Sequence, residues 1–340
     1  MKIHDSRTGA ALVIAVAFLA SLPLAGRAVS GESYGVYQFV VRQAEGSIDE
    51  ISAAISDAAV NSGWIVSGTA DSGDPDNCGF KSRVMVLYDM KYADIIVGAN
   101  VETGPYAALD RVNIFQDEEG THVSVVNPVP LTRTVLMDDT KYIDLSAKHL
   151  ADLSAMIQSA VKGTANSAQY GEFRTAGKIE KTMGVVAGGD FNMLIKQKYK
   201  VSKGTVMEAG KAIGLGFREK TRTWGLKTVY EVHVPAHKVY IVGVSGSPMD
   251  TKSFQIVGGG QNEQRRRFEC PGLSHAGAYP LEIVVYTDEM GEIRVAMVDT
   301  MYRMKVYFED AGTTAFMKNM KMPGSIEKEV EKYMKKQLED

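Results

Sequence analysis

The hydrophobic pattern of this chain runs through the same series of elements twice. In each half an apolar, strand-like run, at 37–43 and at 191–197, precedes a segment whose apolar residues recur every three or four positions, as on one face of a helix. A Ser or Thr followed three residues later by Glu opens each helix, at Ser47 and at Thr205, which is the signature of a capping box. The pattern predicts a strand and then a helix at the start of both halves.

Four further strand-like runs follow each of these helices. In chain order they are 83–90, 94–100, RVNIF and THVSVV in the first half, and 229–234, 239–245, EIVVY and EIRVAM in the second. The last two runs of each half flank similar turns, FQDEEGTH at 115–122 and YTDEMGEI at 286–293. Asp and Gly at such positions are typical of hairpin turns. Each half then closes with a helical pattern, which contains Leu153 in the first half and Val330 in the second.

This order predicts an α+β fold with two tandem domains. Each domain is expected to be a β-α-β4-α layer, with a mostly antiparallel sheet and helices on one face. The predicted boundaries are a signal peptide at 1–30, a first repeat domain at 31–162, a linker at 163–189 and a second repeat domain at 190–340. A long loop is expected at 245–280, and loops of that length are commonly functional or disordered.

The first thirty residues have the pattern of an export signal. Lys2 and Arg7 precede an apolar run that ends in small residues before position 30, so the sequence predicts a cleaved signal peptide and a periplasmic or secreted protein. The alternative is an uncleaved segment that anchors the chain in the membrane. Cleavage would change the net charge from −3 to about −5. That charge argues against nucleic-acid binding, which requires clustered Lys and Arg.

The two cysteines leave two alternatives open. Cys78 and Cys270 stand in loop-like stretches far apart in the sequence. In an oxidising compartment they could form a disulfide, or they could remain as free or intermolecular thiols. A free Cys270 beside Arg267 would permit a thiol-dependent enzyme.

Candidate binding chemistry lies in the second half. Arg265, Arg266 and Arg267, with His275, could bind an anionic ligand, and the alternative for the arginines is a solvated run of charge. A second set of residues could ligate copper, since thioether, thiolate and imidazole groups suit this metal. This set consists of Cys270, His275, Met317, Met320 and Met322. For the methionines, packing in a core is the alternative.

Residues 94–128 resemble the bacterial and archaeal family catalogued as domain of unknown function 302. The features that match are Gly98, Pro105, Gly120 and the pair Asn127-Pro128. The second half keeps Gly243, Pro248 and Gly291, but has Val298-Asp299 where the family has Asn-Pro. The resemblance implies a layer like that of TATA-binding-protein-like domains, and tandem copies. It implies neither DNA binding nor any catalytic residue.

The leading hypothesis is an exported, non-enzymatic module that binds a small molecule or a protein partner in the cell envelope. Two packed domains would offer a groove or a joint to that ligand. Copper handling is the first alternative and a thiol-dependent enzyme is the second. The sequence firmly implies no cofactor, and it indicates neither the ligand nor the oligomeric state.

Overall fold

Two antiparallel sheets, one in each half of the chain, organise the protein. The computed structural model describes residues 33–175, 190–260 and 266–339, so the predicted signal segment lies outside the described residues. The elements of the first half are β1 (Ser33–Arg42), α1 (Ile48–Asn61), β2 (Ile65–Asp71), β3 (Ser82–Tyr88), α2 (Met90–Ala99), β4 (Asp110–Asp117), β5 (Gly120–Val126), α3 (Pro128–Val135), α4 (Ile143–Ala160), β6 (Thr164–Ala165) and β7 (Gln169–Thr175). Those of the second half are β8 (Ile195–Val201), α5 (Val206–Gly216), β9 (Lys227–Val234), β10 (Val239–Ser245), α6 (Ser247–Gly258), β11 (Leu281–Thr287), β12 (Ile293–Val298), α7 (Thr300–Phe308), α8 (Thr313–Lys318) and α9 (Lys321–Leu338).

The two sheets have the same strand order. The first sheet runs β2-β3-β4-β5-β1, with β6 and β7 added beside β1, and the second runs β9-β10-β11-β12-β8. The strand pairs of the described residues are antiparallel. The predicted α+β class with mostly antiparallel sheets is therefore confirmed.

Local signals in the sequence placed several elements correctly. Both capping boxes form, because the side chains of Ser47 and Thr205 accept hydrogen bonds from the backbone N–H groups of Glu50 and Glu208. The two hairpin turns use glycine at positive φ, +123° at Gly120 and +78° at Gly291, where a side chain would be strained.

The predicted β-α-β4-α order needs a correction. Residues 94–100, expected as a strand, belong mostly to helix α2, and a helix likewise interrupts the strands of the second half at α6. A short apolar run does not by itself distinguish strand from helix. In α2 the carboxylate of Asp89 caps the N-terminus by accepting from the N–H of Lys91 at 2.9 Å, and Tyr92 and Ile96 are buried one turn apart.

Two expected loops also contain regular structure. Part of the predicted linker at 163–189 forms β6 and β7, which pair with β1. The edge of β1 opposite β5 would otherwise present unpaired backbone groups, so the chain covers it directly. Within the predicted loop at 245–280, α6 and a 3₁₀ helix at Pro271–Ala278 are formed. Residues 176–189 and 261–265 are not among the described residues.

Alternation along the strands divides the first sheet into two different faces. Val112 and Ile114 of β4 join a core cluster with residues of α1 and α4. Arg111 and Asn113 reach the opposite face, where the amide of Asn113 donates to the carbonyl of Leu273 at 2.9 Å. The 3₁₀ helix at Pro271–Ala278 thus covers this face from the second half. A second core cluster includes buried residues from both halves, so the halves share one hydrophobic core.

Each half has a helix that contacts a loop of the other half. Helix α6 contacts the loop after β2, since the carboxylate of Asp250 accepts from the N–H of Gly73 at 3.2 Å. Helix α2 contacts the connection after β9, where His237 Nε2 lies 2.9 Å from the carboxylate of Asp94. Arg111 and Glu282, which stand at the same offset from the two hairpin turns, meet each other with Nη1 2.9 Å from Oε1. This ion pair links β4 of the first sheet to β11 of the second.

None of the helices among the described residues is both long and apolar enough to span a membrane.

Candidate ligand-binding cavity between the halves

A cavity of about 180 Å³ opens where the first sheet meets the segment 266–274 of the second half. Phe39 of β1, Phe115 of β4 and Tyr170 of β7 form its aromatic wall, and Phe268 faces it from the second half. The ring centroids of Phe39 and Tyr170 are 4.6 Å apart, and those of Phe39 and Phe115 are 6.1 Å apart. Strands β1 and β7 are neighbours, so Phe39 and Tyr170 lie side by side, whereas β5 separates β1 from β4 and Phe115 reaches Phe39 across that strand.

Two arginines and one glutamate lie at the mouth of this cavity. Arg42 and Arg267 line it, and both pair with Glu119 of the first hairpin turn. The carboxylate spans the two guanidinium groups, with Oε2 on Arg42 and Oε1 3.0 Å from Nη2 of Arg267. These side chains are partly exposed, 34% for Arg42 and 64% for Arg267, so the ion pairs are screened by solvent and add little stability.

The same hairpin positions a buried histidine beside the cavity. His122 is fully buried, and its Nδ1 accepts a hydrogen bond from the N–H of Gln43 at 3.2 Å. Its Nε2 lies 2.9 Å from the carboxylate of Asp117, which lines the cavity. Because Nδ1 is an acceptor, the proton of the neutral imidazole is on Nε2 and is donated to Asp117. This pair fixes the base of the turn that carries Glu119.

A second histidine, His275, lies beneath the cavity floor. It is fully buried, and its Nε2 is 3.1 Å from the carboxylate of Asp310. Its Nδ1 is 3.1 Å from the hydroxyl of Ser274, a residue that lines the cavity. That hydroxyl is also 3.0 Å from the carbonyl of Pro271, and a single hydroxyl proton serves only one of these two acceptors. The arrangement holds the cavity wall in place through His275 and Asp310.

The structure gives different surroundings to Arg266 and Arg267, two of the three arginines predicted as an anion site. Arg265 lies outside the described residues, and Arg266 donates from Nε to the carbonyl of Gly260 at 2.9 Å. Arg266 is therefore engaged with the backbone that follows α6, where carbonyl groups lack helical partners. Arg267 reaches the cavity, while His275 is buried below it.

Cys78 and Cys270 form a disulfide, with their Cα atoms 6.0 Å apart. The bond ties the loop after β2 to the cavity wall, since Cys270 lines the cavity. Thr251 adds a second tie to this loop, because its hydroxyl donates to the carbonyl of Asp74 at 2.8 Å. The sulfur of Cys270 is thus neither a free thiol nor a thiolate ligand in this structure.

The residues of the copper hypothesis are placed in different surroundings. Met317 is 57% exposed and Met320 is 38% exposed, whereas Met322 is buried in the core. His275 is occupied by Ser274 and Asp310, as described above. Among the described residues, no three His, Cys, Asp or Glu side chains are grouped so as to hold a metal ion. Copper binding through the methionines stays a prediction.

A cluster of buried ionic side chains lies at the contact between the two halves, which we call the joint. Glu282 accepts from Arg111 on one carboxylate oxygen and from Arg303 on the other, at 2.9 Å in both cases. Arg111 also donates to the hydroxyl of Tyr307, and its guanidinium lies 4.8 Å from the centre of that ring. The three ionic side chains are nearly inaccessible to solvent, so the cluster joins β4, β11 and α7 at the centre of the molecule.

Sequence reasoning missed most of the cavity. Phe39, Phe115 and Tyr170 belong to three separate segments, and only the strand order brings them together. Glu119 was overlooked because carboxylates at a hairpin tip are ordinarily solvated. The visible signal was the alternation of β1, which places Phe39 on the same face as Tyr37, away from the core under α1.

The comparisons with known proteins establish no family for this chain. No family model matches it, and no curated protein matches it. One solved structure is similar, an uncharacterized conserved protein DUF302 from Bacillus stearothermophilus. It is 13% identical, with a TM-score of 0.32, and the match covers 37% of this chain and 98% of that protein.

Proposed function

We propose that this protein is a non-enzymatic binding module that holds a small ligand in the cavity between its two halves. The observation that carries the proposal is the cavity itself, whose aromatic walls come from both halves and whose mouth is charged. A concave, mostly apolar site with a few polar groups is the usual form of a small-molecule site. An engineered cavity of about 150 Å³ holds benzene, so a cavity of about 180 Å³ suits a ligand with a single ring.

We also propose that the two halves are copies of one domain and that the protein is exported. The shared strand order and the reciprocal contacts support two tandem copies of one domain, of the kind named for the domain of unknown function 302. The charged and apolar pattern before position 30 supports export to the cell envelope. A tandem chain allows the two copies to diverge, which explains how Glu119 of the first turn corresponds to Met290 in the second.

Native mass spectrometry of protein secreted to the periplasm and never refolded tests the proposal. We expect a chain that begins near position 31, contains one disulfide and retains, or takes up from added toluene, one small organic molecule. A retained molecule should be released unchanged, as a binding function requires. Release of a chemically altered molecule, or no uptake of any small apolar probe, would contradict the proposal.

Substitution of the cavity wall locates the binding site. Phe39→Trp places a larger ring in the cavity and should weaken the binding of toluene by about tenfold, because the added volume competes with the probe. Phe173→Trp is the matched control, since Phe173 is 51% exposed on β7 and does not line the cavity. Equal affinities for toluene in the two variants would place the ligand elsewhere.

A further inference from the structure

The carboxylate of Glu119 occupies a position that a ligand carboxylate would fit. It bridges two guanidinium groups, one from each half, with one oxygen on each. Planar guanidinium groups recognise carboxylates through such paired contacts. A single carboxylate group therefore already bridges Arg42 and Arg267 in this structure.

Each guanidinium has a support other than Glu119. Arg42 lies 5.1 Å from the centre of the Phe39 ring, and Arg267 lies 4.7 Å from the centre of the Phe268 ring. Contacts of this kind between a cation and an aromatic face are favourable at partly exposed sites. Both rings also line the cavity. The two positive charges are thus held at the mouth by the same walls that would contact the ligand.

Replacement of the Glu119 carboxylate by a ligand carboxylate between the two arginines costs little free energy. Glu119 is 33% exposed, so it regains hydration when it leaves, and ion pairs of this exposure contribute little to stability. Its backbone remains fixed, because its N–H donates to the carboxylate of Asp117 at 2.8 Å. A ligand that brings its own carboxylate keeps both arginines paired and also buries an apolar ring against Phe39, Phe115 and Tyr170.

We infer that the cavity takes a small monocarboxylate with a single-ring apolar body, and that Glu119 is the internal counter-ion that this ligand displaces. The inference rests on the proposed binding function and adds the chemical class of the ligand. It also assigns Glu119 a role as a competitor, which lowers the affinity of the site for its ligand.

Calorimetric titration with benzoate and with benzyl alcohol, a neutral molecule of similar size, tests the inference on the full secreted protein. The readout is the ratio of the two affinities. We expect wild type to prefer benzoate, Glu119→Gln to raise the ratio about tenfold by removing the competitor, and Arg267→Gln to lower it about tenfold. Glu289→Gln, which removes an exposed carboxylate from the corresponding turn of the second half, should leave the ratio unchanged.

The possible failures are distinguishable. If benzoate and benzyl alcohol bind equally well and Glu119→Gln leaves their ratio unchanged, the inferred carboxylate is wrong while the binding cavity stands. If neither probe binds to wild type or to Glu119→Gln, both the inference and the proposed function fail. Circular dichroism of the Glu119 and Arg267 variants checks that each is folded, and the exposure of these side chains predicts that both are.

Discussion

His149 of α4 shows how a buried polar side chain is accommodated in the first half. Its Nε2 lies 2.8 Å from the carboxylate of Asp110, and its ring stacks on Tyr92 with centroids 3.7 Å apart. Trp64 donates to the same carboxylate at 3.1 Å. Burial by itself lowers the pKa of His149, but the carboxylates of Asp110 and Asp89 outweigh burial and raise this pKa to about 9.

This pKa predicts a loss of stability at alkaline pH. An unfolded histidine has a pKa of about 6.5, so the folded state binds the proton more tightly than the unfolded chain. The stabilisation is complete below about pH 6.5 and is lost as the pH rises through 9, a decrease of about 3 kcal/mol in the free energy of unfolding. Urea unfolding between pH 6 and pH 10 measures this decrease.

The variant His149→Gln should lack this part of the pH dependence. His233→Gln is the control, since His233 lies on β9 in the other half, and it should keep the wild-type profile. A wild-type profile that stays flat between pH 6.5 and 9 would show that Asp110 does not hold a proton on His149 in the folded state.

At the scale of elements, the sequence correctly predicted the features that depend only on residues close together in the chain. Capping boxes and glycine turns depend on residues within a few positions of each other, and Ser47, Thr205, Gly120 and Gly291 are where the pattern placed them. Helix α2 was missed because the fate of a short apolar run depends on what it packs against. The cavity was missed for the same reason, since its walls are assembled by the order of strands in the sheet.

The two capping boxes predict equal effects in the two halves. Ser47→Ala and Thr205→Ala should each lower the free energy of unfolding by about 1 kcal/mol, because each leaves a backbone N–H at a helix N-terminus without its partner. Since one core cluster contains residues of both halves, both variants should shift the same single thermal transition. Ser167→Ala, at an exposed loop position, is the control. Two separate transitions would show that the halves unfold independently.

At the scale of the whole molecule, the joint contains buried charge as well as apolar surface. Glu282 is the carboxylate that compensates the two buried guanidinium groups of Arg111 and Arg303. Taking one partner from a buried ionic cluster leaves desolvated charge without compensation, which is among the most destabilising single changes in proteins. Arg111 of the first half thus relies on Glu282 of the second half for compensation of its charge.

Glu282→Gln should therefore lower the free energy of unfolding by about 3–5 kcal/mol. Urea unfolding of wild type and variant at neutral pH measures the difference. Glu289→Gln makes the same change of charge at an exposed position and should alter stability by less than about 0.5 kcal/mol. A loss below about 1 kcal/mol for Glu282→Gln would mean that the two arginines find other compensation in the joint.

The disulfide links the same two halves covalently and closes a loop of 192 residues. In the chain-entropy model a loop of this length contributes about 5 kcal/mol to stability by restricting the unfolded chain. The double variant Cys78→Ala/Cys270→Ala should lose stability of this order. It should also bind toluene more weakly, because the wall at residue 270 is no longer tied to the loop after β2.

Reduction of the wild-type protein with dithiothreitol provides the matched comparison. Reduced wild type should resemble the double variant in both stability and toluene affinity, and the double variant itself should not respond to dithiothreitol. Stability that falls while affinity is unchanged would mean that the hydrogen bonds of Asp250 and Thr251 suffice to hold this loop on the cavity wall. Loss of both would instead make the oxidising environment predicted from the N-terminal signal a requirement for the binding site, because the joint would then be complete only when the disulfide has formed.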